Sequence, residues 1–165
     1  HRVVYNVLQQ YTRSGLLNSM SIISNRESLE VIGEGPISSV YEIVNQTIAN
    51  IIETIEYFKT QRPVLGSIAE TKEISRIKTF GIGFLEKNQE KLLFPLDNPT
   101  EISYIYSISE EELEERSDLL SIIKQRVVDD RNSNIISSFS IFSSLYNKSF
   151  YYSIKCTHYT QQEEK

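Results

Sequence analysis

The chain has 165 residues, a formal net charge of −5, 39% hydrophobic residues and 24% charged residues. That length suits one domain with a sizeable core, or a domain with an extension. No run approaches the roughly 18 apolar residues of a membrane helix, so no membrane partner is expected. An acidic total argues against a surface that is basic throughout, so nucleic acid would have to be met by a local patch or through a partner.

Cys156 is the only cysteine, which leaves no intrachain disulfide and no cysteine-based zinc cluster. It lies in an apolar/polar alternation and reads as a buried thiol. No signal-peptide hydrophobic region follows HRVVYNVLQQ, and an intracellular location, nuclear or cytoplasmic, is expected.

In chain order, residues 3–17 place Val4, Leu8 and Tyr11 on one helical face with Val7 beside them, and Gly15 loosens the end. Leu29–Ile32 reads as a short strand. Gly33 and Gly35 then reverse the chain, and Pro36 suits the first turn of a helix. That helix should run from about residue 36 to 58, with Val40, Val44, Ile48, Ile51, Ile55 and Phe58 as its apolar stripe. Val64–Glu70 and Arg76–Glu86 read as strands. In the second, Phe80, Ile82 and Phe84 face the core, and Gly81 and Gly83 admit a close approach on the other face.

Residues 91–100, with Pro95 and Pro99, are expected to link a first domain, 1–90, to a second unit, 101–160. Glu101–Ile108 alternates as a strand. Ser109 and Glu112 form a capping box for a helix at about 110–129. Ile135–Tyr146 and Ser149–Tyr159 read as a hairpin around Asn147-Lys148, and residues 161–165 as a frayed tail. The expected class is α+β, an α/β sandwich: a β-α-β-β core preceded by a helix, with a C-terminal β-α-β-β unit packed on it.

The turn 33–38 does not match a dinucleotide loop. Ser38 stands where a third glycine is required, and Glu34 would repel a pyrophosphate. His1 and His158 lie near the ends without a recognisable nucleophile or carboxylate pattern. The acidic runs Glu110–Glu115 and Asp129-Asp130 read as solvated helix ends. No catalytic residue, metal site or cofactor is therefore expected, and the chain is read as a non-enzyme. An enzyme would need a pocket holding His158 or paired carboxylates. Local basic residues, Arg62, Lys72, Arg76 and Lys78, gather around the glycine-bearing strand.

Residues 29–44, LEVIGEGPISSVYEIV, resemble the strand–turn–helix of Alba-superfamily proteins, and 75–87, SRIKTFGIGFLEK, resembles that family's last strand. The resemblance covers about residues 1–88. It implies an Alba-like fold that dimerises and binds RNA or DNA, as in subunits of ribonuclease P and MRP particles. Carried over by position, Gly33, Gly35, Ile37 and Ser38 match the turn, and Arg76 and Lys78 match the last strand. The function implied is a non-catalytic RNA- or DNA-binding subunit of a nucleoprotein complex, acting as a homo- or heterodimer. Its nucleic-acid contacts would be Gly33, Gly35, Ser38, Arg62, Lys72, Arg76 and Lys78. The alternative is a protein-interaction or assembly module without nucleic-acid contact.

Overall fold

The structure is a computed structural model, and it describes residues 2–33, 36–70, 72, 74–85, 89–144 and 148–162. Helix α1 spans Arg2–Ser14, strand β1 Met20–Ser21 and helix α2 Asn25–Ile32. A 3-10 turn at Ile37–Ser39 leads into α3, Val40–Thr60. Strands β2 (Leu65–Gly66), β3 (Ile77–Phe84), β4 (Glu90–Leu92) and β5 (Glu101–Ser109) follow. Helices α4 (Glu110–Glu115) and α5 (Leu119–Asn132) then precede β6 (Ile136–Ser144) and β7 (Phe150–Thr157).

The class is mixed α/β, built on one seven-stranded sheet in the order β1-β3-β7-β5-β6-β2, with β4 also pairing β3. β3 runs antiparallel to β7 from Ile77↔Thr157 to Phe84↔Phe150. β7 runs antiparallel to β5, and β5 runs parallel to β6. The parallel pair demands a crossover, which α4 and α5 provide.

Three expectations change here. Ile135–Tyr146 and Ser149–Tyr159 do not form a hairpin, because β7 inserts between β3 and β5 while β6 lies beyond β5. The segment 91–100 is no linker: Leu93, Phe94 and Leu96 are buried, and β3 and β7 bring the two expected units into one sheet. The tail is not frayed at Gln161, which is 2% exposed.

Leu29–Ile32 is not a strand but the end of α2. Ser24 caps that helix by accepting the Glu27 N–H, and Gly33, at φ 82°, stops it. Ser109 likewise accepts the Glu112 N–H and starts α4.

Side chains alternate across the sheet, so each face has its own core. On one face α3 lays Ile51, Ile55 and Phe58 against Phe80, Ile105, Phe142, Tyr152 and Ile154. On the other, Leu119 and Ile123 of α5 pack with Ile102, Tyr104, Tyr106, Ile108, Ile141 and Tyr151. A third cluster, Ile22, Ile77, Phe94 and Leu96, closes the β1 edge with Tyr5 of α1 against it.

The α5 face also holds a polar group of side chains. The Arg126 guanidinium lies 4.5 Å from the Tyr151 ring centre and 5.5 Å from that of Tyr104. Its Nη1 donates to the Tyr106 hydroxyl at 3.4 Å. Burial pushes the Tyr106 phenol up to about 12 and raises Tyr104 and Tyr151 as well. Burial also holds the Asp130 carboxyl above its usual 3.8, although the Tyr104 and Ser137 hydroxyls oppose the shift.

A raised carboxyl pKa means that the folded chain holds this proton where the unfolded chain has lost it. Asp130 therefore withdraws stability as pH rises from about 3.8 through its folded value. Asp130→Asn should remove that component. Urea denaturation from pH 3 to pH 7 should show the variant gaining on the wild type as pH rises; a constant difference would reject the assignment.

Candidate functional site

A groove opens on the sheet beside Lys59, near the end of α3. Across the α3 face, Lys78, Cys156, Glu101 and Ile136 form one row on β3, β7, β5 and β6. This row extends past the last turn of α3, so the helix does not roof it. Residues 68–70 form the other wall. The result is a groove of about 430 Å³, with Lys59 and Glu70 at its rim and Ser103 and Ser138 on its floor.

The groove collects two ammonium and two carboxylate groups. Lys78 is half-buried, with its Nζ 5.8 Å from the Phe80 ring centre. Lys59 is engaged by Glu56 at 2.6 Å. Glu101 accepts the Lys72 backbone N–H at 3.1 Å. Opposite charges in equal number give no net field for a polyanion. Cys156, 2% exposed, forms part of the floor, and the alternation around it matches the buried-thiol reading. His158 stacks on Tyr159 at 4.0 Å between ring centres. Among the described residues, no group of three or more His, Cys, Asp or Glu side chains could hold a metal ion.

Of the seven residues assigned to nucleic acid, the six that are described do not converge. Gly33 caps α2 and Ser38 is exposed in the 3-10 turn, both before α3; Gly35 lies outside the described residues. Arg62 follows the other end of α3. With 21 residues in that helix, the two ends are about 30 Å apart. Lys72 and Lys78 reach the groove, the first through its backbone. Arg76 turns to the α1–β1 connection, where its Nη1 donates to the Leu17 carbonyl at 3.4 Å.

The second feature is α1, whose contacts run opposite to its sequence pattern. Gln9 and Thr12 are 0% exposed. Gln9 exchanges two hydrogen bonds with the Gln161 backbone, donating at 3.0 Å and accepting at 2.6 Å. The Gln161 side chain in turn donates to the Asp97 carbonyl at 3.1 Å and accepts the Asp97 N–H at 2.6 Å. The apolar residues expected to seat the helix, Val4, Val7, Leu8 and Tyr11, are all exposed. The sequence gives the position of the apolar arc, but the polar clamp depends on Gln161, 152 residues away.

No family model and no curated protein matches the sequence. Solved structures do match the fold. FtsZ from M. jannaschii, solved as an empty dimer, superposes with a TM-score of 0.64 at 13% identity, over 91% of this chain and 47% of that one. A tryptophan-to-tyrosine mutant of M. jannaschii FtsZ gives 0.62 at 14%, over 91% and 48%. The chain spans about half the length of these FtsZ chains. This likeness overturns the Alba assignment, whose short motifs fall on a helix end and an internal strand of a different sheet. The ribonuclease P/MRP-like, RNA- or DNA-binding subunit falls with it, and the assembly-module alternative gains no support. The chain has an FtsZ-like fold.

Proposed function

We propose that this chain is one unit of an FtsZ-like subunit that associates with further copies of itself. The observation supporting this reading is the fold likeness over 91% of the chain to a protein solved as a dimer. On this reading the protein partner is another copy of the same subunit. No helix of the described residues is long and apolar enough to cross a membrane. An intracellular location accords with Cys156, buried, being the one cysteine of these 165 residues.

Sedimentation velocity on the full-length protein over a wide concentration series tests the reading. The expected result is a reversible shift from monomer to dimer or larger species as concentration rises. A monomer at every concentration would overturn it.

A further inference from the structure

The groove beside Lys59 holds opposite charges that do not meet. Lys78 and Glu101 are half-buried on one face of the sheet, with Cys156 between them in the row. Two interstrand spacings put their strands about 10 Å apart. Their heads turn to different neighbours: the Lys78 ammonium lies 5.8 Å from the Phe80 ring centre, and Glu101 accepts the Lys72 backbone N–H. Among the described residues neither side chain makes an ion pair, and neither does Glu70 at the rim. A half-buried charge without a counter-ion is costly, and two of opposite sign on one floor suit a ligand that carries both partners. The lining is apolar at Ile68, Ile136 and Ile154, and the volume of about 430 Å³ lies in the range of small-molecule sites.

We propose that this groove binds a free α-amino acid with an aliphatic side chain. The ligand carboxylate pairs with the Lys78 ammonium, its α-ammonium with the Glu101 carboxylate, and its side chain lies against Ile136 and Ile154. With a charge-assisted contact of about 2.8 Å at each end, an α-amino acid spans roughly 8–9 Å, the scale of the gap between the two strands. The charge balance selects this class. A dicarboxylate or a phosphate ester would satisfy Lys78 and Lys59 but face Glu101 and Glu70, and a diamine would meet the reverse. A zwitterion adds no net charge and gives each half-buried head its counter-ion. The isoleucines set the preference for an aliphatic over a polar side chain. The site is made by β3, β5, β6 and β7 with residues 68–70, so it does not depend on association with further copies of the chain.

Saturation-transfer NMR titration of the full-length protein with L-leucine tests the site. Two analogues each lack one charge: isopentylamine has no carboxylate, and isocaproate has no ammonium. L-Leucine should bind saturably, and each analogue about tenfold or more weakly. Lys78→Met should weaken L-leucine about tenfold without weakening isopentylamine, which has no carboxylate for the lysine to hold. Glu101→Gln should weaken L-leucine to a similar degree without weakening isocaproate. The comparison of the three ligands needs only the wild-type protein, so it decides the matter even where a variant fails to fold. No saturable signal with L-leucine up to about 10 mM would overturn the proposal. So would equal binding of all three ligands. L-Leucine binding that both substitutions leave intact would place the ligand elsewhere and overturn it equally.

Discussion

Truncation of Ile55 to alanine is expected to cost about 2–5 kcal/mol of folding stability. Ile55 is 0% exposed, on the long helix that lays its apolar stripe against this face of the sheet. It packs in one cluster with Phe58, Phe80, Ile105, Phe142 and Tyr152, contributed by α3 and four strands. The Phe58 and Phe142 rings stand 4.7 Å apart and cannot both collapse into the space left by a missing side chain. Lost transfer energy and a residual cavity therefore add. Glu53→Ala, two residues earlier on the exposed side of the same helix, should stay within about 0.5 kcal/mol of wild type. Urea denaturation followed by far-ultraviolet circular dichroism measures both. Equal, small effects would mean that α3 does not sit on the sheet through this stripe.

That stripe was legible in the sequence because its signal is local. Six apolar residues at helical spacing fix one face of a 21-residue helix, and Val44, Ile51, Ile55 and Phe58 are the buried ones. The Ser109–Glu112 cap was legible for the same reason. Where a short apolar run was read alone, it misled: Leu29–Ile32 suits a strand or a helix end, and the cap made upstream by Ser24 with Glu27 decides for the helix. Partners distant in sequence were not legible. β7 joins β3 across 66 to 80 residues of chain, and adjacency along the chain suggested a hairpin with β6 instead.

The candidate surfaces divide in the same way. The amphipathic pattern of α1 gave the helix and its apolar arc, but not that the arc lies exposed, because the clamp that docks the opposite flank comes from Gln161. The groove was invisible because its charged row needs register across four strands: Lys78, Cys156, Glu101 and Ile136 are neighbours only once β7 lies between β3 and β5. The basic residues Arg62, Lys72, Arg76 and Lys78 looked like a patch when counted along the chain. In space they are divided by α3, the groove and the α1–β1 connection. The Gly-x-Gly turn carried the Alba resemblance for a similar reason: a glycine that stops a helix and a glycine that cradles a ligand look alike in a single sequence.

Gly83→Ala is expected to destabilise the fold by about 1–3 kcal/mol or more, a large effect for one methyl group. The alternation of β3 indicated a close approach at Gly81 and Gly83, and the structure shows that cross-strand side chains make it. A Cβ on Gly83 would lie 2.4 Å from Tyr151 Cζ and 2.5 Å from its Cε1 and hydroxyl oxygen. The ring has no free space to move into: Tyr151 is 1% exposed, packs on Tyr106 at 5.4 Å and lies beneath Arg126 at 4.5 Å. Relief would require the whole tyrosine–arginine stack to shift, which separates this site from one where a flexible side-chain end could yield. Gly33→Ala is the informative contrast. There a Cβ meets nothing within 4 Å, and the cost is backbone strain at φ 82° alone. Replacing Tyr151 by leucine should remove the obstacle, so the Gly83→Ala penalty should shrink in the Tyr151→Leu background and stay unchanged for Gly33→Ala. A double-mutant cycle by urea denaturation reads both couplings. A full Gly83→Ala penalty persisting without the tyrosine ring would show that the glycine serves the backbone of β3 and not the packing of Tyr151.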